Sequence, residues 1–286
     1  MSNDTQYNLG HTSLAGQQWL SSNPNALRVL MLHGWLDNSA SFTNLAPYLS
    51  DYNLSAVDLA GHGLSDHRPD GCFYHLWDYA LDIISILNLS SQPIWLVGHS
   101  MGGAVAMLVA ALAPEKVRGL IVLDSLGPAT ATPNERVVTM KRAMQKMLKQ
   151  RSQRNTHYPS QEDLVYARMH GMTELSHDAA KLLVKRGSTV KNGEWVWRAD
   201  PKLSFPSPYR MDEDSVEAYI SSIKCPTLAL LANQGFYGNE PDLLKRRTQM
   251  FPWIKVQFLD GSHHFHLETE TCYSVAQEIH RFIDQN

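Results

Sequence analysis

Long apolar runs are missing from this 286-residue chain. No stretch reaches the roughly 20 consecutive apolar residues of a membrane-spanning helix, so none is expected. The opening residues, Met1-Ser2-Asn3-Asp4-Thr5-Gln6, offer neither a basic start nor an apolar segment and do not read as a signal peptide. Cysteine is scarce. Cys72, Cys225 and Cys272 are odd in number and far apart, which excludes a disulfide framework and fits a reduced, cytoplasmic protein. No metal-ligand spacing is present: of 13 histidines, none stands in a His-Glu-x-x-His pattern. Charge of one sign is scarce too. The net charge of −3 gives no reason to expect nucleic acid or an anionic membrane as partner. Internal repeats and low-complexity segments are absent. An ordinary globular chain is what remains, long enough for one large domain or two small ones.

What is present is a series of short apolar runs, each ending in polar or glycine-rich residues. Residues 11–20 alternate loosely, as edge strands do. Ala26 to Leu32 is a continuous strand ending in His33-Gly34-Trp35, and Asn38 or Ser39 caps a helix to about Leu49. Leu54 to Asp58 is the next strand, leading into the glycine-spaced loop Asp58 to Ser65. Phe73 to Leu89 has helical spacing. Strands follow at Ile94, Val117 to Leu123, Pro226 to Ala232 and Ile254 to Leu259, with helices after the first of these, from about Pro241, and at the C-terminal end to about Phe282. Between residues 129 and 205 the buried-strand runs stop. Amphipathic stretches replace them at Asn134 to Gln150, Ser160 to Met169 and Ser176 to Arg186, and Lys191-Asn192-Gly193-Glu194 reads as a turn. Alternating strands and helices on both sides of this insertion predict an α/β fold, with a mostly parallel sheet and helices on both faces.

The most informative stretch is Ile94 to Val109. A buried strand runs into Gly98-His99-Ser100-Met101-Gly102, and a small-residue helix begins at once. A serine in so sharp a strand-to-helix turn is held in a strained conformation with its hydroxyl raised above the sheet edge. The residues two before and two after it meet other backbone and must be small, as Gly98 and Gly102 are. Active sites of parallel sheets lie at the carboxyl ends of the strands. His33-Gly34-Trp35, Ser100, Asp124 and His263 all follow a strand's end.

A serine hydroxyl needs a base within hydrogen-bond reach and an acid to orient that base. The loop Gly261-Ser262-His263-His264-Phe265-His266-Leu267-Glu268 offers three histidines. His263 comes first after the strand and is the expected base, with His264 the alternative and His266 a supporting or packing residue. Glu268 is expected to start the final helix. A tetrahedral intermediate needs two N–H donors, and Met101 and Trp35 are placed to supply them. The acid is expected after the 226–232 strand, yet the chain there reads Asn233-Gln234-Gly235-Phe236-Tyr237-Gly238. Asp124, one strand earlier, is the substitute; Glu240 and Asp242 remain alternatives. Asp58 lies before the elbow in the chain and is expected to brace its loop by accepting backbone N–H bonds. His33, His99, Leu126, Trp195 and Trp197 are assigned to the walls of a substrate pocket. Met140, Met144 and Met147, at helical spacing, read as packing. Arg198 and Asp200 read as an ion pair inside the insertion.

Along nearly its whole length the chain resembles the α/β-hydrolase superfamily: His33-Gly34, the Asp58 to Ser65 loop, Gly-His-Ser-Met-Gly and the Gly-Ser-His loop stand in that order at suitable spacing. Within it, His33-Gly34-Trp35-Leu36-Asp37-Asn38, Leu123-Asp124-Ser125, Arg198 to Leu203 and His263 to Glu268 resemble the serine hydrolase-like protein group. The resemblance implies an α/β-hydrolase core at 1–128 and 206–286, a helical cap at 129–205, a Ser100–His263 pair, an oxyanion hole from Trp35 and Met101, and no cofactor. Some relatives place the acid after the earlier strand, which supports Asp124. The expected activity is a carboxylesterase on small esters, working through an acyl-enzyme. Thioester, amide, lactone or carbon–carbon cleavage, and a ligand-binding protein without catalysis, stay open. A haloalkane dehalogenase would need a carboxylate in place of Ser100.

Overall fold

The computed structural model describes residues 2–149, 156–251 and 253–286. Its centre is an eight-stranded sheet in the order β1-β2-β4-β3-β5-β6-β9-β10. The members are β1 (Asn3–Asn8), β2 (Ser13–Trp19), β3 (Arg28–Leu32), β4 (Asn53–Val57), β5 (Ile94–His99), β6 (Val117–Leu123), β9 (Thr227–Gln234) and β10 (Lys255–Ser262). Only the β1–β2 and β2–β4 pairs are antiparallel. From β4 to β10 every pairing is parallel.

Parallel strands are buried on both faces, which is why their sequences are unbroken apolar runs rather than alternating ones. Side chains still point alternately to opposite faces. Leu30, Leu32, Leu96, Leu120, Val122, Ala229 and Leu231 pack on one side against α1 (Leu76–Leu87), α2 (Met101–Leu112) and α6 (Glu213–Ile220). Val29, Met31, Trp95, Val97, Ile121, Leu123, Leu228 and Leu230 pack on the other, with Val275, Ile279 and Phe282 of α8 (Cys272–Asp284). α7 (Pro241–Met250) joins β9 to β10. Among the described residues no helix is long and apolar enough to cross a membrane.

Two elements in the N-terminal part differ from expectation. The single helix expected up to Leu49 is two short 3-10 turns, Ser39–Phe42 and Ala46–Leu49. Pro47 has no N–H to continue a ladder and so sits at the start of the second turn. β1 was not foreseen, because Asn-Asp-Thr-Gln-Tyr-Asn carries almost no apolar signal; it is largely an exposed edge strand held by its ladder to β2.

The stretch between β6 and α6 holds α3 (Pro133–Lys149), α4 (Gln161–Met169), α5 (His177–Gly187) and a hairpin of β7 (Ser188–Lys191) and β8 (Glu194–Trp197). Gln150, at the end of the first expected amphipathic stretch, lies outside the described residues. The hairpin turns at Asn192 and Gly193, both at positive φ, the geometry that matches the twist of two paired strands. Leu164, Val165, Leu175, Ala179, Ala180, Leu183 and Val184 form a small core of their own, into which Leu267 reaches from the histidine loop. Arg198 and Asp200 do not pair: Arg198 Nε donates to Ser188 O, while Asp200 accepts from Tyr74 and Lys202 Nζ lies 3.4 Å away.

Candidate active site

Ser100 stands between β5 and α2 at φ 51°, ψ −117°, a conformation that non-glycine residues rarely adopt. Close backbone approach explains it. A Cβ on Gly102 would lie 2.2 Å from Leu32 O, and one on Gly98 would lie 2.5 Å from Gly102 O. The turn can close only with glycine at both places. Ser100 N donates to Leu123 O at 3.0 Å, which fixes the elbow beside the end of β6. The next residue there is Asp124, itself at φ 45° and anchored by its N–H to Leu230 O.

The Asp124 carboxylate is buried and receives three bonds. Ala232 N donates to Oδ1 at 3.2 Å, Phe236 N donates to Oδ2 at 2.8 Å, and His263 Nδ1 meets Oδ2 at 2.5 Å. A Cβ at Gly235 would lie 2.5 Å from this carboxylate. The loop after β9 therefore wraps the carboxylate of β6 rather than bringing one of its own. Glu240 and Asp242 belong to the start of α7 and are exposed. The loop bearing Asp124 is pinned further on. Leu126 N donates to Tyr237 Oη at 3.0 Å, and the buried Arg247 donates to Leu126 O and Pro128 O.

His263 is held from behind. His99 Nε2 donates to His263 O at 2.9 Å, and the two rings lie 4.7 Å apart. His263 Nε2 and Ser100 Oγ have no bonding partner among the described residues. Met101 opens α2, where an N–H has no intrahelical acceptor. Trp35 follows β3, and its N–H is likewise unbonded among the described residues; its indole donates to Leu203 O at 3.0 Å. Met101 follows the serine directly, and Trp35 lies just past the end of β3, the strand paired with β5.

His264, the alternative base, is occupied otherwise. Its Nε2 meets Asp37 Oδ2 at 3.0 Å, and it is almost wholly buried. Arg168, from the last turn of α4, donates to Asp37 Oδ1 at 2.8 Å. Burial alone would raise the Asp37 carboxyl, but His264 and Arg168 outweigh it and hold that group well below the usual carboxylate range. Burial lowers His264, His99 and His266. His99 carries a proton on Nε2, the nitrogen that donates to His263 O, and its Nδ1 is buried without a partner, 3.9 Å from Asp37 Oδ2. The ligand atoms of Asp37, His99 and His264 lie within 4.8 Å of one another, close enough to hold a metal ion. Arg168 already supplies a cation there. His266 bonds Ser41 Oγ at 2.9 Å, a supporting role as expected.

The expected pocket walls are placed differently. His33 is fully buried; its Nδ1 bonds Gly34 O and its Nε2 accepts from Leu59 N, leaving no nitrogen for a substrate. His99 is interior, and Leu126 belongs to the main core. Trp195 and Trp197 pack in the core of the inserted stretch, where Trp195 exchanges backbone bonds with Tyr158. An apolar slot along α2 is lined by Leu76, Ala104, Met107, Pro128, Met211 and Ile220, and none of the five borders it. Asp58 braces its loop as expected, accepting from Ser39 N and Leu64 N, and Arg186 of α5 caps it. Glu268 accepts from Ser176 N; the final helix starts later, at Cys272.

A family model described as the alpha/beta hydrolase fold matches residues 28–269, from β3 to the histidine loop. The chain belongs to this family. Among curated α/β hydrolases it is similar to the "Serine hydrolase-like protein" of Danio rerio, 31% identical over 278 residues, 91% of this chain and 82% of that protein. Over a shorter span, 40% of this chain and 43% of the other, it is 37% identical to a pimeloyl-[acyl-carrier protein] methyl ester esterase of Neisseria meningitidis. A crystal structure of a hypothetical protein from Pseudomonas aeruginosa PAO1 superposes with a TM-score of 0.89 at 36% identity, covering 98% of this chain and 97% of that one. This α/β hydrolase is thus serine hydrolase-like, with esterase relatives.

Proposed function

We propose that the protein is a serine carboxylesterase acting on small esters. The observation that carries this reading is the pairing of a strained, elbow-borne Ser100 with a neighbouring strand end whose Asp124 bonds His263 at 2.5 Å. Ser100 Oγ attacks the ester carbonyl as His263 Nε2 takes its proton. Asp124 holds Nδ1–H and so keeps Nε2 free to act as base. The developing oxyanion lies at the N-terminal end of α2, where the Met101 N–H, the Trp35 N–H and the helix dipole all favour negative charge. His263 returns the proton to the departing alkoxide, leaving an acyl-enzyme. Water, activated by the same imidazole, then releases the acid.

The deciding experiment is covalent labelling with a fluorophosphonate, run beside hydrolysis of a p-nitrophenyl ester. The wild type labels and turns over, and Ser100→Ala does neither. Labelling that survives in Ser100→Ala refutes the assignment, and a folded wild type that neither labels nor turns over supports a ligand-binding role instead.

A further inference from the structure

α3 is a 17-residue helix of which only Ala143 is fully buried. Its underside is tied down: Arg136 pairs with Asp212 and lies over the Tyr209 ring, and Lys146 Nζ stands 6.0 Å from the Phe205 ring. The outward side is unusual. Val137 is 77% exposed and Leu148 81%, and Met140 and Met144 are exposed as well. With 3.6 residues per turn these four fall within an arc of about 80°. They form one apolar stripe facing solvent. Lys141 adjoins this stripe, and Arg142 and Lys149 follow it within an arc of about 100° that also holds the exposed Val138; Lys141 and Arg142 have no ion-pair partner among the described residues. Along the whole helix five basic residues stand against one acidic residue, Glu135, whose carboxylate is engaged by Thr132. The chain as a whole carries −3, so this positive charge is a local concentration.

We propose that α3 docks the protein on an anionic lipid surface, inserting Val137, Met140, Met144 and Leu148 among acyl chains while Lys141 and Arg142 meet phosphate headgroups. A helix with an apolar stripe beside a basic one lies in the plane of a membrane interface, its affinity drawn from both buried apolar area and attraction to anionic lipid. At about 25 Å, α3 is long enough to set such a plane. Its charge also argues against pairing with a second copy. Lys141 is the middle residue of α3, so an antiparallel two-fold contact centred on this helix would set Lys141 against its own copy. An anionic surface complements them. Whole-chain charge conceals this face; the charge of one helix reveals it.

The test uses the full chain carrying Ser100→Ala, so that binding is read without turnover and independently of the esterase reading. It is co-sedimented with vesicles of phosphatidylcholine alone and of phosphatidylcholine with about 30% phosphatidylglycerol. Binding is expected to the anionic vesicles, weaker by about tenfold or more to the neutral ones, and reduced by salt as the headgroup attraction is screened. Met144→Asp/Leu148→Asp breaks the stripe and Lys141→Glu/Arg142→Glu reverses the charge. Each is expected to lower anionic-vesicle binding by about tenfold or more, and in the otherwise wild-type chain to leave hydrolysis of a soluble ester unchanged. Equal binding to both vesicle types, no binding to either, or full binding by both double variants overturns the proposal. So does light scattering that finds a dimer which Met144→Asp/Leu148→Asp converts to monomer without any vesicle binding; α3 is then a self-association face.

Discussion

Replacing Asp124 by Asn removes one charge and leaves the side chain almost the same size. Its carboxylate receives three donors: Ala232 N on Oδ1, and Phe236 N with His263 Nδ1 on Oδ2. An amide has one accepting oxygen and one donating nitrogen, so no orientation serves all three. With oxygen toward His263, the new NH2 faces the Ala232 N–H. With nitrogen toward His263, it faces both the Phe236 N–H and Nδ1, and the imidazole must move its proton to Nε2, where it can no longer act as base. Each orientation leaves at least one buried donor unpaired, worth about 1–3 kcal/mol of stability. The second one also abolishes the productive tautomer. The expected result for Asp124→Asn is a kcat for p-nitrophenyl acetate lower by about 10⁴, with KM little changed, in a protein that still folds with a urea midpoint shifted by about 1–3 kcal/mol equivalent. Asp242→Asn is the control, because Asp242 is exposed at the start of α7 and its loss falls within about 0.5 kcal/mol. An Asp124→Asn enzyme within about tenfold of wild type, or an equal loss in Asp242→Asn, would refute the assignment of the acid.

Two further outcomes follow from the buried histidine network. Stability is expected to fall steeply with acid: His33, His99, His264 and His266 are pushed below 6.5 by burial, and His62 by burial and its neighbour His33 to about 3. The unfolded chain takes up protons on these groups below pH 6.5 while the folded chain does not, so stability is full above that pH and is lost as pH falls through it. Each contributes up to about 1.4 kcal/mol per pH unit, and Asp37, held low, extends the loss below 3.8; denaturant midpoints between pH 8 and pH 4 that do not decline would contradict this. Arg168→Met strips the cation from buried Asp37 and is expected to cost about 3 kcal/mol, and, because Arg168 lowers His264, to raise the His264 titration seen by NMR; an unmoved His264 resonance would show that Arg168 is not coupled to this loop.

How much of this was legible in the sequence depends on the reach of each contact. The elbow could be read at once, because strand, serine, two glycines and helix are adjacent in the chain and the steric demand lies within five residues. The sheet could be read because strands buried on both faces leave continuous apolar runs. β1 could not, since an exposed edge strand is held by backbone bonds that any polar sequence can make. The proposed acid was legible only by elimination. Gly235 leaves room beside the end of β6 for the Asp124 carboxylate, where a side chain would collide with it. In the sequence that glycine was one more turn residue. The choice of His263 over His264 was hidden for the same reason. Two adjacent histidines are equivalent until their partners are known, and those partners, Asp124 and Asp37, are 139 and 227 residues away. The histidines assigned to the pocket walls are interior: His33 spends both ring nitrogens on backbone groups, and His99 spends Nε2 on His263 O. A buried imidazole that fixes a loop and one that moves a proton look identical in sequence. What separates them here is the carboxylate each one meets: His263 Nδ1 is held by Asp124, next to the strand end that anchors Ser100 N, whereas His264 is committed to buried Asp37.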